Sequence, residues 1–388
     1  MRHSAQIQKS LLASAIAVCA LSASTWRAEA GAYVQTNLVS DGFLPAELTD
    51  PTLVNPWGVA RSATSPFWTS NQGTSTASLF NVSVTPPVKN PTVAPNIPPG
   101  GAGPVGPTGQ VNNNNPSPSS FPVTGAGGDG ATAHFIFANL NGTISAWDTG
   151  ATAHIEATTS GAAYTGLAIA HDGTQLYAAN DAGSGSIDVF NPSWGRVTTT
   201  GFATPSAISS RGLVPFNVQD INGQVYVTYA PAGRAAQQTA TPGQGAVAIF
   251  NEAGVLQSIV INSPTSALAA PWGIALAPSN WGPFSNDLLV GNFSYDLNEI
   301  NAFDPMTGML EGTIQIDDGA VPSGLWALDF GNAGQNGNPN TLYFTDGINS
   351  ENDGLFGSIT VPEPSSLALA AAALALFGVR RARSRRRV

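Results

Sequence analysis

Short apolar segments separated by turns recur along the chain from about residue 55 to residue 360. In several of them apolar and polar residues alternate, as at Ile187 and Val189 or at Val247 and Ile249, which predicts strands buried on one face. The sequence of this region shows no long amphipathic helical pattern, and the chain has 42 glycines and 29 prolines, which favour turns. The pattern therefore predicts an all-β fold.

The segments form a repeat with a period near 50 residues. A short motif, clearest as Pro-Trp-Gly at residues 56–58 and 271–273, opens each of six units. Units of this length with several short strands are typical of a propeller, so we predict a six-bladed β-propeller of four-stranded blades. The aligned positions are Gly58, Gly109, Gly166, Asn217, Gly273 and Gly324.

The two ends of the repeat region are predicted to meet in the last blade. The sixth unit leaves room for three strands between Gly324 and Val361, whereas residues 32–39 form a lone apolar segment before the first unit. We predict that this N-terminal strand is the outer strand of the sixth blade, which removes the open edges. Residues 84–120 are dense in Pro, Gly and Asn and predict a long loop between the first two blades, part of which must still supply the outer strand of the first blade and the first strand of the second.

One unit resembles a known propeller repeat. Residues 165–191 are similar to an NHL-type repeat in the Gly-Leu-Ala strand, the Asp172-Gly173 turn and the Ile-Asp-Val-Phe-Asn strand. NHL repeats often carry a basic residue before the third strand, where this chain has Gly185 and Ser186. The resemblance implies the propeller architecture rather than the RNA- or protein-binding roles of that group.

The first 30 residues predict a secretory signal peptide. Arg2 and Lys9 precede an apolar stretch, and Ala28-Glu29-Ala30 offers a cleavage site between Ala30 and Gly31. The single cysteine, Cys19, lies inside this segment. The predicted mature chain therefore has no disulfide and no thiolate chemistry.

The last 28 residues have three parts. Pro362-Glu363-Pro364 is followed by an apolar segment, Leu367 to Val379, and by an arginine-rich end that begins with Arg380 and Arg381. As a helix the apolar segment is about 20 Å long, whereas a bilayer core needs about 20 apolar residues, so it predicts a short, weak transmembrane anchor. The arginines would stay on the cytoplasmic side. A permanent single-pass tail anchor is the alternative.

This tail closely resembles the PEP-CTERM sorting signal in both the motif and the order of its parts. The resemblance implies recognition by an exosortase in a Gram-negative bacterium that makes exopolysaccharide, with export through the inner membrane to the cell surface. The whole chain resembles exported bacterial proteins with an NHL-like propeller and such a tail. We therefore expect a signal peptide at 1–30, a propeller at 31–361 and a sorting signal at 362–388.

The predicted mature body is strongly acidic. Residues 31–361 contain five Lys or Arg and 22 Asp or Glu, a net charge of −17. Such a charge repels nucleic acid and anionic membrane surfaces and attracts cations, calcium included.

Candidate chemistry is sparse, and calcium binding is the clearest hypothesis. Asp346, Asn349, Glu351 and Asp353 place oxygen ligands in one loop, without the spacing of an EF-hand. His134, His154 and His171 show no metal-ligand spacing, and we expect structural roles for them.

Two recurring side-chain types leave alternatives open. Asn or Asp at the strand ends either gather at a mouth of the channel or satisfy local backbone groups. Trp57, Trp272 and Trp326 either stack on sugar rings or pack around the channel, and their repetition favours packing. The strand-end residues are Asn71, Asn139, Asn180, Asp181, Asn292 and Asp346.

Two functions follow from these observations. We favour a non-catalytic cell-surface or matrix protein whose propeller binds a partner or polysaccharide, with no cofactor other than calcium. The alternative is a secreted hydrolase or lyase with carboxylates and calcium at the channel mouth. Three or more carboxylates or histidines that converge at one mouth would indicate the enzyme.

Overall fold

The computed structural model describes residues 33–90, 106–115, 117 and 120–362. The predicted cleavage site at Ala30 and Gly31 lies outside these residues. So do Glu363, Pro364 and the predicted C-terminal helix with its flanking arginines. Pro362 is described as the residue that follows the end of the fold.

The described residues form six sheets arranged as the blades of a propeller, as predicted. Two strands precede the first blade, β1 (Val34–Ser40) and β2 (Leu48–Thr49). Every blade then runs outward from the channel in chain order. Blade 1 contains β3 (Pro56–Ala60), β4 (Phe67–Asn71), β5 (Thr76–Asn81) and β6 (Val88–Lys89). Blade 2 contains β7 (Gln110–Asn112), β8 (Phe135–Ala138), β9 (Thr143–Trp147) and β10 (His154–Thr158). Blade 3 contains β11 (Tyr164–Ile169), β12 (Leu176–Asn180), β13 (Ser186–Phe190) and β14 (Arg196–Val197).

Blades 4 to 6 repeat this order. Blade 4 contains β15 (Leu213–Ile221), β16 (Gln224–Pro231), β17 (Ala246–Asn251) and β18 (Leu256–Ile261). Blade 5 contains β19 (Pro271–Leu276), β20 (Leu288–Asn292), β21 (Glu299–Phe303) and β22 (Leu310–Gln315). Blade 6 contains β23 (Gly324–Phe330), β24 (Leu342–Gly347) and β25 (Leu355–Thr360). Short helical turns lie in the connections at Gln72–Thr74, Ser206–Ser209, Arg234–Gln238, Gly282–Phe284 and Ile348–Glu351. Among the described residues no helix has the length and apolar character needed to cross a membrane.

The N-terminal strand closes the ring, which confirms the prediction. β1 pairs antiparallel with β25, from Val34 opposite Thr360 to Ser40 opposite Leu355. Its second half is buried, with Val39 fully enclosed. The short strand β2 then adds to β1 in parallel, so the sheet of blade 6 has five strands rather than the predicted four.

The repeated glycines mark the places where neighbouring inner strands touch. A Cβ atom at Gly109 would lie 2.3 Å from the backbone nitrogen of Leu167, and one at Gly273 would lie 2.3 Å from the carbonyl oxygen of Trp326. These are backbone atoms that cannot move aside, so the position admits no side chain. Blade 4 carries Asn217 instead, whose Nδ2 donates to the carbonyl oxygen of Trp272 at 2.8 Å.

The three repeated tryptophans pack on one another near the axis. The rings of Trp57 and Trp326 stack with centroids 3.7 Å apart, and Trp272 meets Trp326 edge-on at 5.7 Å. Each ring is at most 4% exposed. The contacts agree with the packing interpretation, and they close the channel at one end.

The closure can be tested by removing the N-terminal strand. Deleting residues 32–40 from the full chain would expose the edge of β25 and remove the buried side chains of Leu38 and Val39. We expect the thermal midpoint, followed by circular dichroism, to fall by roughly 10 °C or more, since each kcal/mol is worth about 2–4 °C. Val34→Ala, at a half-exposed position, serves as the control. An unchanged midpoint in the deletion would contradict the closure by this strand.

Candidate functional site

The channel ends on two faces of the ring. We call the face that carries the connections between the second and third strands the upper face, and the opposite one the lower face. On the upper face each of the six connections contributes one residue to a network around Arg234 and the cavity beside it. These residues are Gln72, Leu140, Asp181, Arg234, Tyr295 and Glu351.

Arg234 lies over the aromatic cluster that closes the channel. Its guanidinium carbon is 4.2 Å from the ring centroid of Phe293 and 4.7 Å from those of Trp57 and Trp326. Burial among the rings lowers the pKa of Arg234 to about 9, so the group remains charged at neutral pH. The cation therefore gains from three ring faces, an interaction that strengthens when water is excluded.

Glu351 is the counter-charge of Arg234 and accepts hydrogen bonds at both oxygens. Oε1 pairs with the Arg234 guanidinium and accepts from Asn55 Nδ2 at 3.1 Å. Oε2 accepts from Gln238 Nε2 at 3.1 Å and from the Tyr295 hydroxyl at 2.9 Å. The carboxylate thus joins blades 1, 4, 5 and 6, and its acceptor capacity is filled.

The backbone that presents Glu351 is strained. Asn349, Ser350 and Glu351 have φ angles of 53°, 56° and 67°, three successive non-glycine residues in the left-handed region. Each costs on the order of 1 kcal/mol or more. The Ser350 amide donates to the carbonyl of Pro322, and Asn349 Nδ2 donates to Asp353 at 2.7 Å, which holds the turn. Strain of this kind is concentrated at ligand clamps and active sites.

A cavity of about 350 Å³ opens beside Arg234. Trp57, Asn55, Gln72 and Glu351 line it together with Arg234. This volume is at the small end of the range for small-molecule sites, which combine apolar walls with a few placed polar groups. The upper face therefore carries a preformed cavity with both aromatic and polar groups in its wall.

The four predicted calcium ligands are divided among separate contacts. Asp346 is buried at the end of β24 and accepts from Asn298 Nδ2 at 2.6 Å. Asn349 and Asp353 bond to each other, whereas Glu351 pairs with Arg234. Within the part of the chain that the structure describes, no three His, Cys, Asp or Glu side chains are grouped to hold a metal. Calcium binding stays a prediction, without support from this geometry.

The asparagines at the strand ends serve their own blades. Asn71 Nδ2 donates to Ser78 Oγ at 2.9 Å, and Asn139 Nδ2 donates to Ser145 Oγ at 3.1 Å. Asn292 Oδ1 accepts from an amide in the connection that enters its blade. These bonds are local to each blade, as one of the two alternatives expected, but the partner is a backbone group for Asn292 and a serine hydroxyl in the bonds of Asn71 and Asn139.

The histidines occupy separate structural positions. His134 packs edge-on against Trp147, and His154 Nδ1 lies 3.0 Å from the carbonyl oxygen of Ala126. His171 lies at the turn after β11, where its amide donates to Glu252. The three histidines thus meet different partners.

The lower mouth of the channel forms a second cavity of about 370 Å³. Arg61 and Asp329 form an ion pair there, with Nε and Oδ2 3.0 Å apart. Asp220 also lines the cavity, and burial raises its pKa. Two carboxylates reach this mouth among the described residues, and one is already paired with a cation.

Sequence reasoning missed Arg234. It is one of only five basic residues in the predicted mature body, and it lies in an unusually long connection, residues 232–245. The signal in the sequence was that this one basic residue lies in a long connection of a chain with a net negative charge. Its partner Glu351 was interpreted as a calcium ligand because nothing local in the sequence shows which loop faces it.

Comparisons with known proteins bear on the tail. Residues 360–386 match the family described as the PEP-CTERM protein-sorting motif. The chain carries this motif, which implies processing by an exosortase, export and sorting to the cell surface. The match covers the tail alone, and no curated protein matches the chain.

Three solved structures are similar to this chain over part or most of its length. The C-terminal WD40 domain of Sif2 aligns at 9% identity over 85% of this chain and 99% of that one, with a TM-score of 0.45. A structural genomics protein of unknown function from Bacteroides thetaiotaomicron aligns at 10% identity over 85% and 76%, with a TM-score of 0.48. A gluconolactonase, XC5397 from Xanthomonas campestris, aligns at 14% identity over 59% and 82%, with a TM-score of 0.36. The NHL-type resemblance stays a prediction.

Removing Glu351 tests whether the network stabilises the fold. Glu351→Ala leaves the Arg234 cation without its partner, and we expect a loss of about 2 kcal/mol in the free energy of unfolding. This figure is below that for a fully buried pair, because a third of the Arg234 side chain is exposed. The measurement is urea unfolding. Adding Arg234→Met should recover part of the loss, and the exposed Glu47→Ala should cost little. Equal stability of Glu351→Ala and the wild type would contradict the network.

Asp346 predicts a specific pH dependence. Burial raises its pKa to about 7, above the value of about 3.9 in an unfolded chain. Between these values the folded state binds more protons, so wild-type stability falls as pH rises from about 4 to 7 and then levels off. Across this window the free energy of unfolding of Asp346→Asn should therefore rise relative to that of the wild type, by at most about 1.4 kcal/mol per pH unit.

The control for this prediction is Asp304→Asn. Hydrogen bonds from the Thr307 and Met306 amides lower the pKa of Asp304, so its replacement should lose stability relative to the wild type as pH rises to about 4, and the difference should be nearly constant above that pH. Denaturant unfolding at a series of pH values measures both differences. A pH-independent difference for Asp346→Asn would show that Asp346 is ionised in the folded protein throughout.

Proposed function

We propose that this chain is an exported cell-surface or matrix protein that an exosortase processes, and whose propeller binds a partner or polysaccharide without catalysis. The observation that carries the proposal is the junction between fold and motif. The last strand ends at Thr360, and the match to the sorting motif starts at the same residue. Processing beyond Pro362 would release or transfer a closed ring without cutting into a blade.

The upper face supports binding rather than catalysis. Connections from all six blades meet there, and the Glu351 carboxylate already accepts four donors. A general base needs a free acceptor within reach of the proton that it removes. A saturated carboxylate that positions a cation suits the recognition of a ligand.

The lower mouth supports the alternative, a secreted hydrolase or lyase. Asp220 has its Oδ2 buried without a partner among the described residues, and burial raises its pKa, as expected for a general acid. The pair of Arg61 and Asp329 lies at the same mouth. This alternative also includes calcium at the channel mouth, so calcium would have to bind beside these carboxylates.

Sorting is tested by changing the motif in the full chain, in a host that has an exosortase. Replacing Pro362, Glu363 and Pro364 with alanine should keep the protein in the inner membrane and abolish the processed form. Immunoblots of the membrane, surface and medium fractions provide the measurement. Ser365→Ala with Ser366→Ala, directly beside the motif, is the matched control and should sort normally. Normal surface delivery of the triple variant would contradict exosortase sorting.

Binding and catalysis are separated by a glycan array and an assay for released products. Saturable binding to a glycan that is recovered intact supports the proposal. Release of new reducing or unsaturated ends, lost on Asp220→Asn but kept on Glu351→Gln, would establish the alternative in its place.

A further inference from the structure

The acceptors that face the upper cavity are already in use. Glu351 accepts four donors, as described above. Asn55 Oδ1 accepts from Trp326 Nε1 at 2.9 Å, while its Nδ2 donates to Gln72 Oε1 and to Glu351. A ligand that brought donors would therefore have to compete with hydrogen bonds inside the protein.

Two donors in the cavity wall remain without a partner. Among the described residues, neither Trp57 Nε1 nor Arg234 Nη1 has a hydrogen-bond partner, although both atoms are buried. Trp57 is only 1% exposed, and both side chains line the 350 Å³ cavity. A buried unpaired donor costs about 1–3 kcal/mol, and one in a native structure requires an explanation. Both would be satisfied by a group in the cavity that brings acceptors to the indole N–H and to Nη1.

We propose that this cavity binds its ligand through a single carboxylate, carried on a compact body of about a dozen non-hydrogen atoms. The inference rests on the proposed binding function and names the chemistry that this function recognises. A carboxylate offers acceptors only, and its charge strengthens a hydrogen bond to a guanidinium N–H. Glu351 occupies Nη2 of Arg234, so the ligand adds to the unused Nη1 and does not displace the pair.

The surroundings favour one negative charge over two. The carboxylate of Glu351 lies against Arg234. Gln237 Nε2 donates a hydrogen bond to Asp181 at 2.9 Å and holds this second carboxyl group near Arg234. A doubly charged group such as a phosphate monoester would meet more repulsion from these carboxyl groups. The strained turn at Asn349–Glu351 fixes the position of the pair, so the donors are preorganised before the ligand arrives.

Calorimetry on the full-length protein tests the proposal with matched acids and neutral compounds. The probes are galacturonate and glucuronate, their neutral parents galactose and glucose, and glycerate as an acid that is not a sugar. We expect each uronate to bind at least about tenfold more tightly than its neutral parent. If glycerate binds as tightly as the uronates, the carboxylate is still the recognised group, and the ligand is a small organic acid and not a sugar acid.

Variants identify the donors. Trp57→Phe keeps an aromatic ring but removes the pyrrole ring with its N–H, and should weaken uronate binding at least about five- to tenfold, the loss of one hydrogen bond. Arg234→Lys keeps the charge but loses the planar edge, and should weaken it more than tenfold. Trp147→Phe is the control, because Trp147 Nε1 donates to the carbonyl of Gly150 away from the cavity. Its affinity should equal that of the wild type.

Two results would overturn the inference. Equal affinity for the uronates and their neutral parents would do so, as would an unchanged affinity in Trp57→Phe, a variant that lacks the indole N–H. Binding of neutral glycans on the array would then leave the proposed binding function intact. Failure of every probe together with an empty array would refute both.

Discussion

The close approach of the six inner strands around the axis is the constraint on which the rest of the structure depends. At Gly109 and Gly273 the backbone of the next blade lies where a Cβ atom would be, so the ring can close only with glycine there. Asn217 is accommodated because its side chain turns to the neighbouring strand and bonds to it. Closure at this radius also brings the tryptophans of blades 1, 5 and 6 into one cluster.

The upper site is a consequence of that closure. Once the rings of Trp57, Phe293 and Trp326 meet near the axis, they form an apolar floor over which a cation can lie. Arg234 comes to this floor from blade 4, and its counter-charge Glu351 comes from blade 6. The pair therefore joins two blades that are not neighbours, and the strain at Ser350 is sustained by those contacts.

The position of the sorting motif fits a body that is complete before the motif begins. β25 is the third of the five strands in its sheet, counted from the channel, and β1, from the N-terminal part of the chain, pairs with its outer edge. Its partner strand shields the edge that would otherwise be open where the tail departs. The ring is thus closed within the described residues, and the motif that implies sorting to the surface begins where its last strand ends.

The sequence alone determined the all-β class, the six blades and the use of residues 32–39 in the last blade. Each of these follows from local patterns, since alternation marks a strand and the glycine repeat marks contacts between inner strands. The number of strands in blade 6 escaped prediction because β2 is only two residues long. The tertiary structure alone decided that Glu351 faces Arg234 and that Asp346 faces Asn298. Those contacts join loops of different blades, and no periodicity along the chain encodes which loops meet above the channel.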